Sequence, residues 1–369
     1  MPKIRILVVD DAAVVRRMVS EELSKDPALE VVGTAANGKI ALARLPQVNP
    51  DLVILDIEMP EMDGLETLRE LRKTYRRLPV IMFSSRTERG ATATLDALAM
   101  GATDYFAKPS SGGLEASLEV LRTQLIPEIK AICAPPSSSP LPHDGGEGLV
   151  KGAPVRAPTS VAAAAQPTAA VDVLAIGAST GGPNALAEII PGLPADFPVP
   201  IVIVQHMPAV FTKLLAERLS AQSSIKVHEG ASGIVVEPGH AYVAPGDYHM
   251  VVSRDGVQRR LLIHQDPPEN SCRPAVDPLF RSVAAAYGAN TLAVILTGMG
   301  QDGLRGCQLL REAGAQILVQ DEATSVVWGM PGAVARAGVA DRILPLSMIA
   351  SEIVRRARAR PSTEKTRYQ

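Results

Sequence analysis

The stretch VDVLAIGASTGGP, Val171–Pro183, decides the fold of the larger part of the chain. Val171–Ile176 is an apolar run of strand length. Gly177, Ser179 and Gly181 follow at alternate positions, and Asn184–Ile190 then reads as a helix. A continuous apolar run is a strand buried on both faces, and strand–turn–helix is the opening unit of a parallel α/β sheet. The loop could serve three purposes. A P-loop cradle needs GxxxxGK[ST], and there is no lysine here; a dinucleotide loop needs GxGxxG, and Gly177, Gly181 and Gly182 miss that spacing. A mere corner would need a glycine but not this serine. G-x-S-x-G on a strand-to-helix turn is the pattern of a nucleophile elbow. Its small neighbours leave Ser179 exposed, and the start of the helix offers N–H groups to an oxyanion.

The same alternation runs outward in both directions. Val199–Gln205, Leu292–Thr297 and Ala315–Val319 read as buried parallel strands. Phe211–Ser220, Pro278–Ala286 and Gly303–Glu312 read as helices between them, and Lys226–His264, with the shorter runs HAYVAP and YHMVVS, as an antiparallel insertion. Upstream, residues 134–170 are rich in Pro, Ser, Gly and Ala without a hydrophobic period. They read as a flexible linker with a root-mean-square span of about 30–35 Å. Residues 1–133 form a second α/β domain with strands at Ile4–Val9, Leu29–Ala35, Leu52–Leu55, Val80–Ser84 and Asp104–Ala107. The expected architecture is a five-stranded parallel doubly wound, flavodoxin-like domain (1–133), the linker, a doubly wound α/β domain with an antiparallel insertion (171–355), and a basic tail (356–369).

Open parallel sheets bind ligands at the carboxyl ends of their strands. In the first domain Asp10 and Asp11 end strand one, Asp56 strand three, Ser84 strand four, and Lys108 follows strand five. Crowded carboxylates repel, and Mg²⁺, which takes oxygen ligands, relieves that; a central carboxylate can accept a phosphoryl group. In the second domain the same rim carries Ser179, then His206 at the end of PVPIVIVQHM, then Asp302 in VILTGMGQDG. A serine needs a base and the base an orienting acid, and such triads are recognised by role rather than chain order. The other five histidines fall in the linker or the insertion.

These residues carry two resemblances. VVDDAAVVRRM, DIEMPEMDGLETL, FSS and AKP resemble the receiver domain of two-component response regulators, over nearly all of residues 1–130. That resemblance implies Mg²⁺ held by Asp10, Asp11, Asp56 and the Ile57 carbonyl, with Asp56 as the phosphoacceptor. Ser84 and Lys108 would contact the phosphoryl group, Tyr105 would be the switch aromatic, and a sensor histidine kinase would be the donor. IGASTGGP, VQHM, NSCRPAVDPLF, LTGMGQDG and VVWGMPGAV resemble the catalytic domain of chemotaxis protein-glutamate methylesterases, over about 171–350. This implies Ser179, His206 and Asp302 as nucleophile, base and acid, with the Met299 amide in the oxyanion hole; the Thr180 N–H is a second candidate donor. The substrates would be glutamyl methyl esters and certain glutamines of methyl-accepting chemoreceptors.

Composition narrows the field. With 37 Lys+Arg against 39 Asp+Glu the net charge is −2, which gives no pull toward nucleic acid or membrane. There is no helix-turn-helix signal and no apolar run of about 18 residues. The N-terminus MPKIRILVVDD lacks a signal-peptide core. Three cysteines without metal spacing read as incidental thiols of a reducing compartment. A cytoplasmic monomer is expected, with no cofactor for the second domain. A response regulator whose second domain only binds a ligand or protein is the alternative.

Overall fold

The computed structural model describes residues 2–85, 87–108, 113–134 and 170–359. Residues 135–169 of the expected linker and 360–369 of the expected tail lie outside these. In the first domain the strands are β1 (Ile4–Val9), β2 (Leu29–Ala35), β3 (Leu52–Asp56), β4 (Val80–Ser84) and β5 (Asp104–Ala107), all parallel in the order β2-β1-β3-β4-β5. Between and after them run α1 (Ala13–Ser24), α2 (Gly38–Val48), α3 (Gly64–Thr74), α4 (Glu88–Ala99) and α5 (Gly113–Val120). A π-turn at Leu121–Leu125 joins α5 to α6 (Ile126–Ile132). Alternate strand residues sort to opposite faces. Ile6 and Val8 pack with Val19, Leu23, Leu121 and Ile129, whereas Leu7 and Val9 lie in the core that holds Leu45, Leu68 and Leu95. Helix starts are set locally: Asp63 and Glu66 form a capping box on α3, and Thr87 caps α4.

The second domain carries β6 (Val173–Ala178), β7 (Ile201–Gln205), β8 (Lys226–Glu229), β9 (His240–Val243), β10 (His249–Asp255), β11 (Gln258–His264), β12 (Thr291–Ile295), β13 (Gln316–Gln320) and β14 (Arg342–Leu344). Its helices are α7 (Gly182–Ile189), α8 (Phe211–Gln222), α9 (Val276–Tyr287), α10 (Leu304–Glu312), α11 (Met330–Arg336) and α12 (Leu346–Arg358). Seven strands form a parallel sheet in the order β14-β13-β12-β6-β7-β9-β8. Leu186, Leu215 and Ile349, from α7, α8 and α12, pack on one face; Phe280, Leu310 and Val334, from α9, α10 and α11, pack on the other.

The antiparallel insertion is narrower than its sequence indicates. Only β10 and β11 pair antiparallel, as a separate hairpin. The runs at β8 and β9 join the main sheet in parallel. HAYV has three consecutive fully buried residues, Ala241–Val243, because helices or the hairpin cover both faces of β9; only its short length resembles a hairpin strand.

Candidate functional site

Both sheets place a topological switch at their working edge. In the first domain β1 has β2 on one side and β3 on the other, so the crevice opens between the ends of β1 and β3. There one carboxylate oxygen each from Asp10, Asp11 and Asp56 lies within 4.8 Å of the others. Lys108 Nζ sits 2.8 Å from both Asp10 Oδ2 and Asp56 Oδ1, and 5.5 Å from the centre of the Phe83 ring. Burial pushes the Asp56 carboxyl up to about 6; the Lys108 bond opposes this and the Asp10 charge adds to it. Asp56 is therefore mostly ionised at neutral pH. A cavity of about 200 Å³ opens here, lined by Asp11, Asp56, Ile57, Glu58, Ser85, Gly90 and Lys108. The clustered carboxylates of Asp10, Asp11 and Asp56, the last two lining this cavity, are a hard oxygen set that fits Mg²⁺. The Ile57 carbonyl accepts the Gly64 N–H at 2.9 Å, which occupies one of its two lone pairs. Ser84 turns away from the cavity: its hydroxyl faces the Gly90 and Ser85 carbonyls at 3.1 Å and accepts from Thr94 at 2.7 Å. The neighbouring Ser85 lines the cavity instead.

In the second domain the switch lies between β6 and β12. Gly177 is level with Ile295, and Ala178 with Gln205, so the three strands end at one height. Ser179 follows β6. Its N–H donates to Thr297 O at 3.0 Å, and its carbonyl accepts from Gly182 N and from Gln205 Nε2. Gly181 has φ +74°, and a Cβ there would lie 2.6 Å from Val326. Gly298 lies against the serine, with a Cβ there only 2.7 Å from Ser179 Cβ. Only glycine allows both approaches. Among the described residues, neither the Thr180 nor the Met299 N–H has a hydrogen-bond partner within the chain.

His206 follows β7 and its Nε2 lies 2.8 Å from Asp302 Oδ2. Burial alone would lower the imidazole's pKa, but the Asp302 bond and contact with the Cys272 thiol raise it above the ordinary histidine range. Asp302 is buried, yet its pKa is lowered. Burial is outweighed by His206 and by the N–H groups of Val276, at 2.6 Å, and Asp277, at 3.1 Å. Asn270 bridges two carboxylates, donating to Asp302 Oδ1 at 2.8 Å and Asp277 Oδ2 at 3.0 Å. Sequence reasoning missed Asn270, Cys272 and Asp277. Their only signal was membership of NSCRPAVDPLF, which returns from the hairpin to the rim.

The two domains meet at this second rim. Tyr105 stacks on Phe211 with ring centres 4.8 Å apart, and Arg218 pairs with Asp96 at 2.7 Å. Asn184 Nδ2 donates to Ala102 O at 3.1 Å, and the Gly181 N–H donates to Asp104 Oδ2 at 3.0 Å. The receiver-like domain therefore touches the loop that carries Ser179.

Fold and site together define a phosphoacceptor-type α/β domain docked on an α/β domain with a serine at its elbow. Residues 6–118 match the response regulator receiver domain and residues 174–353 the CheB methylesterase domain. The Trichodesmium erythraeum protein-glutamate methylesterase/protein-glutamine glutaminase is 55% identical over 96% of this chain and 99% of its own. That of a Nocardioides species is 51% identical over 98% of each chain. The crystal structure of the Thermotoga maritima CheB methylesterase catalytic domain superposes on 50% of this chain and 98% of its own, with 42% identity and a TM-score of 0.50. The chain belongs to the family of receiver-linked protein-glutamate methylesterases/protein-glutamine glutaminases.

Proposed function

We propose that this chain is a phosphorylation-regulated serine hydrolase that demethylates glutamyl methyl esters, and deamidates certain glutamines, on methyl-accepting chemoreceptors. The observation that carries the reading is the His206–Asp302 pair at the switch point beside an elbow serine. Ser179 Oγ attacks the ester or amide carbonyl. With Asp302 on Nε2, Nδ1 is the ring nitrogen that takes the serine proton. The buried, ionised Asp302 stabilises the imidazolium. Met299 and Thr180 N–H groups hold the oxyanion. The imidazolium then gives its proton to the leaving methanol or ammonia. Water, deprotonated by the same imidazole, releases the acyl group as glutamate.

Asp56 is the phosphoacceptor, with a sensor histidine kinase as donor. Mg²⁺, held by Asp10, Asp11 and Asp56 with the Ile57 carbonyl as a further candidate, would offset the charge of the incoming phosphoryl group. Lys108 faces the same group. Ser84 and Tyr105 are the switch residues, and the Tyr105 ring already lies on Phe211 of the other domain. Docking over the Ser179 loop hinders a receptor helix, so phosphorylation that weakens docking raises activity. Only a difference in affinity between the two receiver states does this, with about 1.4 kcal/mol giving tenfold. The enzyme would act as a cytoplasmic monomer; among the described residues no helix is long and apolar enough to cross a membrane. The deciding experiment measures methanol release from methylated receptor with and without a phosphodonor, beside labelling of Ser179 by a serine-reactive probe. Labelling without methanol release would favour another ester as substrate; neither would leave a non-catalytic output domain.

A further inference from the structure

Two carboxyl groups that the mechanism does not use meet at the domain junction. Asp104 on β5 is 4% exposed and Glu128 on α6 is 9% exposed. Their side chains lie side by side. Two carboxyl groups buried together repel when both are ionised, so one of the two holds a proton. Asp104 accepts from the backbone N–H of Tyr105 at 2.8 Å and from the Gly181 N–H at 3.0 Å. Gly181 stands two residues beyond Ser179.

We propose that Asp104 and Glu128 are a proton-sharing latch: protonated Glu128 donates to the Asp104 carboxylate, which fastens the nucleophile loop through Gly181, and loss of the shared proton frees that loop from the receiver. The proposal rests on the functional reading above only in taking this loop as the esterase's elbow. Burial pushes Asp104 up to about 6, with its hydrogen bonds opposing; burial and then the Asp104 charge push Glu128 well above the carboxylate range. Among the described residues, no cation acts on the pair. On α6, Lys130 is paired with Asp26; on α4 and α8, Asp96 and Arg218 are paired with each other. β4 presents the apolar Ile81 beside Asp104, and the loop before α7 presents only amides and the Thr180 hydroxyl. Undocking wets the pair and returns both groups toward ordinary carboxylate values. The docked form thus holds more protons, so docking is strongest at low pH and weakens as pH rises through the docked pKa values. One extra proton gives at most about tenfold per pH unit.

Hydrogen exchange at the Gly181 amide reads the latch without reference to any substrate. In the unphosphorylated full-length chain, protection corrected for intrinsic exchange should fall as pH rises from 6 to 9. Glu128→Gln donates an N–H and cannot ionise, so its protection should stay level; Asp104→Ala should be poorly protected throughout. Thermal melts of all three chains check folding. Parallel protection curves for wild type and Glu128→Gln, or wild-type protection in Asp104→Ala, would overturn the latch. Ester hydrolysis followed in the same samples separates the two readings: the expected exchange pattern without hydrolysis retains the latch and removes the methylesterase.

Discussion

Gly298→Ala tests how tightly the elbow serine is held. The added Cβ would lie 2.7 Å from Ser179 Cβ, 3.1 Å from Ser179 N and 2.6 Å from Met330 Sδ. Carbon atoms pack at about 3.5–4.0 Å, so roughly 1 Å must open on the serine side. Met330 is a flexible side chain and can give way. The Ser179 backbone cannot without stretching its 3.0 Å bond to Thr297 O. A displacement of about 1 Å at a reacting group costs on the order of 10²-fold in rate. The assay is methanol release from methylated receptor, with a circular-dichroism melt beside it. A folded variant should lose about 10² in kcat with little change in KM. Wild-type turnover at a wild-type melting temperature would refute the packing argument and the position assigned to Ser179.

Ser179→Ala should lower turnover by roughly 10⁴–10⁶-fold, measured in single-turnover assays. His206 must be neutral to accept the serine proton, and its pKa is raised, so hydrolysis should climb with pH as the imidazolium deprotonates. Asp302→Asn should move that limb to lower pH while cutting the plateau by about 10⁴-fold, read from pH–rate profiles. Phosphorylation of Asp56 by a small phosphodonor should stop with chelator or in Asp11→Ala; an unchanged rate would assign the acidic cluster another role. Arg218→Ala removes a half-exposed interdomain ion pair worth about 0.2–1 kcal/mol, so basal hydrolysis should rise up to about fivefold at low salt and less at high salt.

What was legible in the sequence follows from what local pattern encodes. Strands β1, β2, β4 and β5 are bounded in sequence as they are in the structure; β1 and β4 are mainly apolar and end at a charged or small residue, Asp10 and Ser84. The rims were legible for the same reason: a carboxylate just past a buried strand has one place to be. The three-residue β14 carries too little pattern to read, and β8 and β9 were misread by their length. Glu128 illustrates a deeper limit. In IPEIKAI it reads as the polar face of an amphipathic helix, yet it is buried. Periodicity says which face is apolar, not what covers the other. Asn270 was illegible likewise, since its partners Asp277 and Asp302 become neighbours only once α9 and the loop after β12 have packed.

The position of β6 at the centre of its sheet sets an order of events during synthesis. Ser179 emerges from the ribosome well before Asp302, and the strand that brings the acid to the serine's side, β12, follows β6 by more than a hundred residues. Closing so long a loop precedes any reward from pairing. The receiver's five strands lie upstream and are complete by then, and domains fold in the order in which they emerge. The serine and its acid are thus brought together beside a receiver domain whose strands are already made.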